Sequence, residues 1–412
     1  DEVKTDFFDE KGNFKKGKVV LSAIVKQEQA GKVLFNITKT VQFDVVNNIS
    51  IEEIDASVDT LSIDIFKGEM IIYTSVYPVN ASNQTLRAIF IPNDLSYGNA
   101  LDFRWENNKL IVKLNENYDH GQGIIRLIAI DSYSTSDNFK TYIDIPVVIC
   151  DGSAEYPYQI ISEKDLQILI DTNFEKNYQI VGEIDISKFV DANDQLLWEY
   201  STYTLTGNLI GINNACFTGI NISTAENINN YGLFASIVEG AKISNIKFEG
   251  NISLSITQTE TTNIGLIAGQ NDGILENVFV DINSCQITAS GGYTINLGGL
   301  VGKNNGEISL TNKGVYNKLV NFPLTFKDNS GDTTGYHTLF IGGVAGYNAG
   351  LIESERDFSN TILVNVDFNI QYVENNGKIR PHDNDDKEGI GGIAGYSYVE
   401  STSSSGVYGI VN

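Results

Sequence analysis

A glycine-rich phrase returns four times in the C-terminal half of this 412-residue chain, and its return restricts the possible folds more than any other feature. The copies read GLIAGQNDGIL from Gly265, GGLVGKNNGEI from Gly298, GGVAGYNAGLI from Gly342 and GGIAGYSYVES from Gly391, with a looser first copy, GLFASIVEGAKI, from Gly232. The anchor glycines are 33, 33, 44 and 49 residues apart. A repeat of this length is one supersecondary unit that buries its apolar face only by stacking on its neighbours. Inside one repeat, ILENVFVDINSCQITASG sets Ile274, Val278, Val280, Ile282 and Ile287 among polar residues at the spacing of a half-buried strand, with no helical period. About three short strands per repeat predict successive coils rising about 4.8 Å each, a right-handed parallel β-helix. The surplus residues of the two longer spacings are then loops thrown out from a coil corner.

Coils that stack must turn at the same place each time. Gly273, Gly306 and Gly350 are expected to supply positive φ at that corner, where a Cβ is penalised. Asn271, Asn304 and Asn348 each precede one of those glycines by two residues. Their equal placement favours an internal amide ladder, each side chain donating to the next coil, over ordinary N-x-G turns without stacking.

The phrase resembles the GLUG motif of bacterial cell-surface proteins, a module of adhesins and of the non-catalytic regions of immunoglobulin A peptidases. A second signature precedes it, DGSAEYPYQIISEKDLQILI from Asp151, then NYQIVGEIDIS from Asn177 and LTGNLIGINNACFTGINI from Leu205. That order is similar to the stretch opening such β-helical regions, and together the two signatures cover residues 151–412. The opening segment also makes sense unaided. Ser162 and Asp165 form a capping-box pattern, and Leu166, Leu169 and Ile170 follow at helical spacing. A short amphipathic helix there would cover the otherwise open first coil.

Residues 1–150 differ in kind. Runs such as KVVLSAIV, KVLFNITKTVQFDVV, MIIYTSVYPV, KLIVKL and GIIRLIAIDS alternate with period two and are broken by Gly, Asn, Asp or Pro, which reads as an all-β sandwich. The segment 48–150 has the length of one immunoglobulin-like domain and resembles bacterial immunoglobulin-like repeats of surface proteins. Residues 1–47 are too few for another, so they are either a truncated preceding domain or strands that complete the next one. Both parts are thus expected to be all-β, with a domain boundary near Asp151 and a β-helix over 151–412.

The formal net charge of -24 repels phosphate backbones and anionic membranes, so neither nucleic-acid binding nor docking on such membranes is expected. No apolar run is long enough to span a bilayer, and Asp1-Glu2-Val3-Lys4 does not open like a signal peptide, so any signal or anchor is expected outside this stretch. Cys150, Cys216 and Cys285 are far apart and odd in number, which favours free core thiols over a disulfide. These features fit an extracellular chain, secreted or on a bacterial surface.

Motifs for chemistry are scarce. His120, His337 and His382 stand outside any H-E-x-x-H, Ser401 to Ser405 lack a G-x-S-x-G elbow, and the G-x-G pieces lie between strands instead of opening helices. Parallel β-helices can nevertheless host polysaccharide lyases and hydrolases, which need paired carboxylates or a bound calcium ion. The acidic candidates are Asp383, Asp385, Asp386 and Glu388 in PHDNDDKEG, with Glu353, Glu355 and Asp357 in LIESERDFS. Asp383 and Asp385 would be the calcium ligands, but their spacing lacks the glycine and distal glutamate of an EF-hand, and solvated loop charge is the preferred reading. Tyr336, Tyr347, Tyr396 and Tyr398 are the candidate ligand surface, a sugar-binding strip against the alternative of corner rings packing on one another. The expectation is a non-enzymatic section of a surface protein, adhesive or projecting, without a cofactor and with a host or matrix protein or glycan as partner. The alternatives are a carbohydrate-active β-helix enzyme, or a filament subunit that self-associates through its N-terminal strands.

Overall fold

The computed structural model describes residues 17–29, 32–45, 49–130, 141–223, 228–290, 292–310, 319–329, 337–354, 363–372 and 387–397. The described residues are all-β apart from short helical turns, and the chain divides into two compact units, Asp1–Ile149 and Cys150–Asn412.

In the first unit, β1 (Gly17–Gln29) and β2 (Lys32–Val45) pair antiparallel along their length, from Gly17 opposite Val45 to Gln29 opposite Lys32. They form a two-stranded sheet of their own. The eight strands that follow are β3 (Glu53–Ala56), β4 (Leu61–Ile63), β5 (Glu69–Tyr77), β6 (Leu86–Pro92), β7 (Leu101–Glu106), β8 (Lys109–Leu114), β9 (Gly121–Ala129) and β10 (Tyr142–Ile149). They make two four-stranded sheets, ordered β3-β5-β8-β7 and β4-β10-β9-β6, antiparallel throughout except that β4 runs parallel to β10. The period-two alternation puts Ile63, Ile72, Leu110, Val112, Ile125, Leu127, Ile145 and Ile149 into one shared core. Just past β4, the buried Asp64 takes the backbone N–H groups of Phe66 and Lys67 on Oδ1 at 2.9 and 3.0 Å and pairs with the Lys67 ammonium at 3.5 Å. Burial pushes its carboxyl above the ordinary value, and Lys67 opposes that shift.

The second unit opens with β11 (Tyr158–Ile160), the helix α1 (Leu166–Asp171) and β12 (Asn177–Asp185). Asp165 closes the expected capping box, its Oδ2 accepting the N–H groups of Ile161 and Ser162 at 3.0 Å each. The buried residues of α1 are Leu166, Ile168 and Leu169, so Ile168 takes the inward place expected of Ile170. After β13 (Thr204–Leu205) and β14 (Asn208–Ile222), the chain passes in turn through three parallel sheets, once per repeat. One circuit runs Thr261–Ile264, Ala268–Asn271, Ile274–Glu276 and Phe279–Ala289; the next runs Tyr293–Gly298, Val301–Asn304, Glu307–Leu310 and Leu319–Asp328. Equivalent residues pair rung to rung, as in Leu209, Ile243, Leu275 and Ile308, all fully buried. Within ILENVFVDINSCQITASG, Val278, Val280, Ile282 and Ile287 are buried as expected, but Ile274 is not, and its neighbour Leu275 takes the core position. The surplus of the longer repeats falls between fixed strands, after Leu310, Asp328, Ser354 and Tyr372.

The repeated corner glycines act by size and not by handedness. Gly273, Gly306 and Gly350 do not have the positive φ expected of them. A Cβ on Gly306 would overlap the carbonyl oxygen of Gly273 one rung below, and one on Gly350 would overlap that of Gly306. Each rung therefore approaches the last too closely for any side chain at this column. At the corner between the two strands of the long sheet, left-handed asparagines recur: Asn213 and Asn214, then Asn245 and Asn277, have φ of 52, 61, 59 and 53°. Asparagine is the non-glycine residue that takes this conformation most readily.

Candidate functional site on the stacked rows

Parallel register carries every side chain directly beneath its counterpart, so the surface and interior of the second unit are built as rows of like residues. Asn271 Nδ2 donates to Asn304 Oδ1 at 2.8 Å, and Asn304 Nδ2 to Asn348 Oδ1 at 2.7 Å. The amide orientation is fixed because Asn271 Oδ1 accepts from Gly273 N at 3.2 Å, while Asn348 Nδ2 also reaches the Gly350 carbonyl at 3.1 Å. All three amides are buried, where an unsatisfied one costs about 1–3 kcal/mol, and the ladder satisfies them. Further ladders escaped the sequence reading: Asn230, Asn263 and Asn296 linked at 2.8 and 2.7 Å, Asn245 and Asn277 at 2.7 Å, and Asn177 and Asn208 at 2.7 Å. The equal 33-residue steps from Asn230 to Asn263 to Asn296 were the signal available for the first of these.

The candidate aromatic strip is a stack in which the rings cover one another. Tyr347 and Tyr396 are register partners with ring centroids 5.4 Å apart and planes at 23°, and Tyr396 also stacks on Phe340 at 4.8 Å and 26°. Phe340 occupies the register position of Asn296, so the Asn230–Asn263–Asn296 row ends in this cluster. Tyr347 is half-buried in this stack and Tyr396, at its end, stays 40% exposed. Tyr336 and Tyr398 lie outside the described residues.

Charged groups on the long sheet are engaged with one another. Lys247 Nζ meets Glu249 Oε1 at 2.5 Å and, one rung on, Asp281 Oδ2 at 3.3 Å, while Asn321 Nδ2 donates to Asp281 Oδ1 at 3.1 Å. Burial opposes the lysine's charge, but the two carboxylates outweigh it and hold Lys247 above its ordinary value. Beside them Cys216 Sγ lies 3.9 Å from Glu249 Oε1, and burial followed by that carboxylate pushes the thiol up to about 12. Lys242 pairs with Glu276 in the same way, Asp272 accepts from Gln270 and Asn305 at 2.6 and 2.7 Å, and Glu353 accepts from Ser309 at 3.4 Å. Glu249 and Asp281, on neighbouring rungs, share Lys247, whereas a general acid is set apart in an apolar pocket. Asp383, Asp385, Asp386, Glu355 and Asp357 lie outside the described residues, as does the side chain of Glu388. Among the described residues no three His, Cys, Asp or Glu side chains gather as a metal site.

One cleft, of about 480 Å³, opens beside the N-terminal end of the stack, lined by Leu196, Trp198, Tyr200, Asn221 and the hydroxyls of Ser187 and Ser223. Tyr200 spans its floor, accepting from Asn221 N at 3.1 Å and donating to the Gly219 carbonyl at 3.4 Å. Cys150, Cys216 and Cys285 are all buried, and none of them is in a disulfide. In the first unit His120 bridges Tyr97 OH, 2.8 Å from Nε2, and Asp119, 2.7 Å from Nδ1. The side chains of His337 and His382 lie outside the described residues.

No family model matches the chain, and no curated protein and no solved structure matches it either.

Proposed function

We propose that the second unit is a right-handed parallel β-helix of the GLUG type and the first an immunoglobulin-like sandwich, and that the two form a non-catalytic, adhesive or projecting section of a bacterial cell-surface protein. The observation that carries this reading is the in-register stack, in which polar rows satisfy each other along the axis: amides with amides, and Lys247 with Glu249 and Asp281. Such a surface is made to hold its shape and to project. The right hand follows from the near-universal handedness of crossovers between parallel strands. The surplus sequence after Leu310, Asp328, Ser354 and Tyr372 is where a solenoid accepts variation without disturbing its stack, and it is the place for contact with a host or matrix protein or glycan.

The test is twofold. Purified protein incubated with pectin-like, mucin and peptidoglycan glycans is expected to release no products, and to bind immobilised matrix proteins or glycans through the surplus segments. Turnover lost on Glu249→Gln, Asp281→Asn or Asp383→Asn would replace this reading with the carbohydrate-active enzyme. Neither turnover nor binding would leave a spacer or filament subunit.

A further inference from the structure

The cleft of about 480 Å³ beside the N-terminal end of the stack is not required by the stacking of rungs, and its size falls among small-molecule sites, roughly 300–1,000 Å³. One wall comes from the segment between β12 and β13, which folds back on itself. Val190 and Leu196 form an antiparallel bridge, Leu197 N donates to the Phe189 carbonyl at 2.9 Å, and Asp191 Oδ1 accepts the N–H groups of Asn193 and Gln195 at 2.8 and 2.9 Å. These bonds fix the loop without a ligand, and Leu196 stands on it 41% exposed, an apolar contact set in place in advance.

The other wall is polar. Asn221, near the end of β14, and Ser223, two residues on, are both exposed, and alternation places them on one face. Among the described residues nothing bonds to the Asn221 side-chain amide or to the Ser223 hydroxyl. Ser187, in the turn after β12, is held by Asp185 Oδ1, which accepts its Oγ at 2.6 Å and its N–H at 3.1 Å, so its hydroxyl oxygen still has lone pairs to offer. Burial pushes the Tyr200 phenol above its ordinary value and keeps it an O–H, anchored to the backbone of Asn221 and Gly219. Charge narrows the ligand further. Among the described residues that line the cleft Asp194 alone is charged, so a phosphate or carboxylate would meet a like charge and no cation on the wall. A wholly apolar ligand would strip water from the amide and the hydroxyls without replacing its hydrogen bonds.

We propose that this cleft binds a neutral saccharide of disaccharide size, with Leu196 against the C–H face of a ring and Asn221, Ser223 and Ser187 on its hydroxyls. A pyranose presents both chemistries at once, an apolar face and a rim of hydroxyls that each donate and accept, as do the amide and hydroxyls that meet them. The inference stands on the cleft and not on the surface role above, and it sets glycan contact at the N-terminal end of the stack instead of in the surplus segments.

Saturation-transfer NMR of the full chain with lactose, cellobiose and N,N′-diacetylchitobiose, and with digalacturonate as the anionic counterpart, tests this. At least one neutral disaccharide is expected to take up signal from the protein, and more strongly than digalacturonate. Asn221→Ala and Leu196→Ala should each weaken that binding about tenfold, the loss expected of one hydrogen bond or one apolar contact. Ser255→Ala, exposed on the neighbouring strand Lys247–Ile256 and not on the cleft wall, should bind as before. Both cleft substitutions fall on exposed side chains, and an unchanged unfolding midpoint of each variant establishes that weaker binding is not loss of folding. No transfer to any of the three neutral disaccharides would overturn the proposal, as would digalacturonate binding as well as they do. Binding that is unaffected by Asn221→Ala or by Leu196→Ala, or weakened as much by Ser255→Ala, would overturn it too, and would return glycan contact to the surplus segments with the proposed function intact.

Discussion

At the scale of the residue, this chain is governed by how close two rungs come. Gly306 faces the Gly273 carbonyl and Gly350 faces that of Gly306, so the column has no room for a methyl group. Gly306→Ala is accordingly expected to cost about 1–3 kcal/mol, the range for overpacking a site whose neighbours cannot retreat, and not the few tenths gained where an alanine fits. Chemical denaturation followed by circular dichroism measures it, and an unshifted midpoint would mean that the rungs can separate locally. The identity of these glycines is legible in the repeat, but their reason is not. A repeated glycine at a corner is read from sequence as a left-handed turn, because only the stacked structure brings in the carbonyl of a residue 33 positions earlier. A left-handed conformation recurs instead at Asn245 and Asn277, in SNI and ENV segments that look like interruptions of a strand pattern.

At the scale of the element, an aromatic cluster gathers on the first rungs of the stack, just past α1 in the chain. Phe174 has a φ of 59°, unfavourable for a bulky side chain, and is held by its packing against Tyr203 at 4.6 Å and against Trp198 and Phe234 at 5.7 Å. Trp198 in turn donates from its indole nitrogen to the Leu233 carbonyl at 3.3 Å. Phe174→Ala is expected to destabilise the second unit by about 3–5 kcal/mol, as truncation of a buried aromatic does. The unfolding midpoint read from Trp198 fluorescence reports it, and a change within error would show that α1 caps the stack alone. The capping box was plain in the sequence because its parts lie three residues apart. The aromatic cluster was not, since its four rings come from positions 174, 198, 203 and 234 and meet only when the first rungs are stacked.

At the scale of the whole molecule, the two units keep separate cores, and the three thiols all belong to the second. Burial holds Cys285 above its ordinary value and holds Cys216 at about 12, so at pH 8 only about 10⁻⁴ of the Cys216 thiol is thiolate. Native protein is expected to resist a thiol reagent at pH 8 and to label fully once the second unit opens. In a denaturant series the labelling midpoint should coincide with the Trp198 transition and stay unchanged when Trp105, in the first unit, is replaced by Phe. Fast labelling of native protein would place a thiol at the surface. Labelling that follows Trp105 would mean that the two units unfold as one.

The sequence by itself determined the repeat, the Asn271–Asn304–Asn348 ladder and the capping box, because each is a pattern of residue types at fixed separations and stacking converts fixed separation into contact, whereas the circuit has four strands and not the three expected, two of them in the long sheet. Tertiary structure alone decided what lies next to what across rungs whose lengths differ. It set Tyr347 and Tyr396 face to face, 49 residues apart in the chain, and brought Lys247 between Glu249 and Asp281. It also decided that the corner glycines answer to a neighbouring carbonyl and not to their own torsions. Local torsional preference is written in a residue and its neighbours, whereas the space left for a side chain depends on backbone that arrives from another turn of the stack.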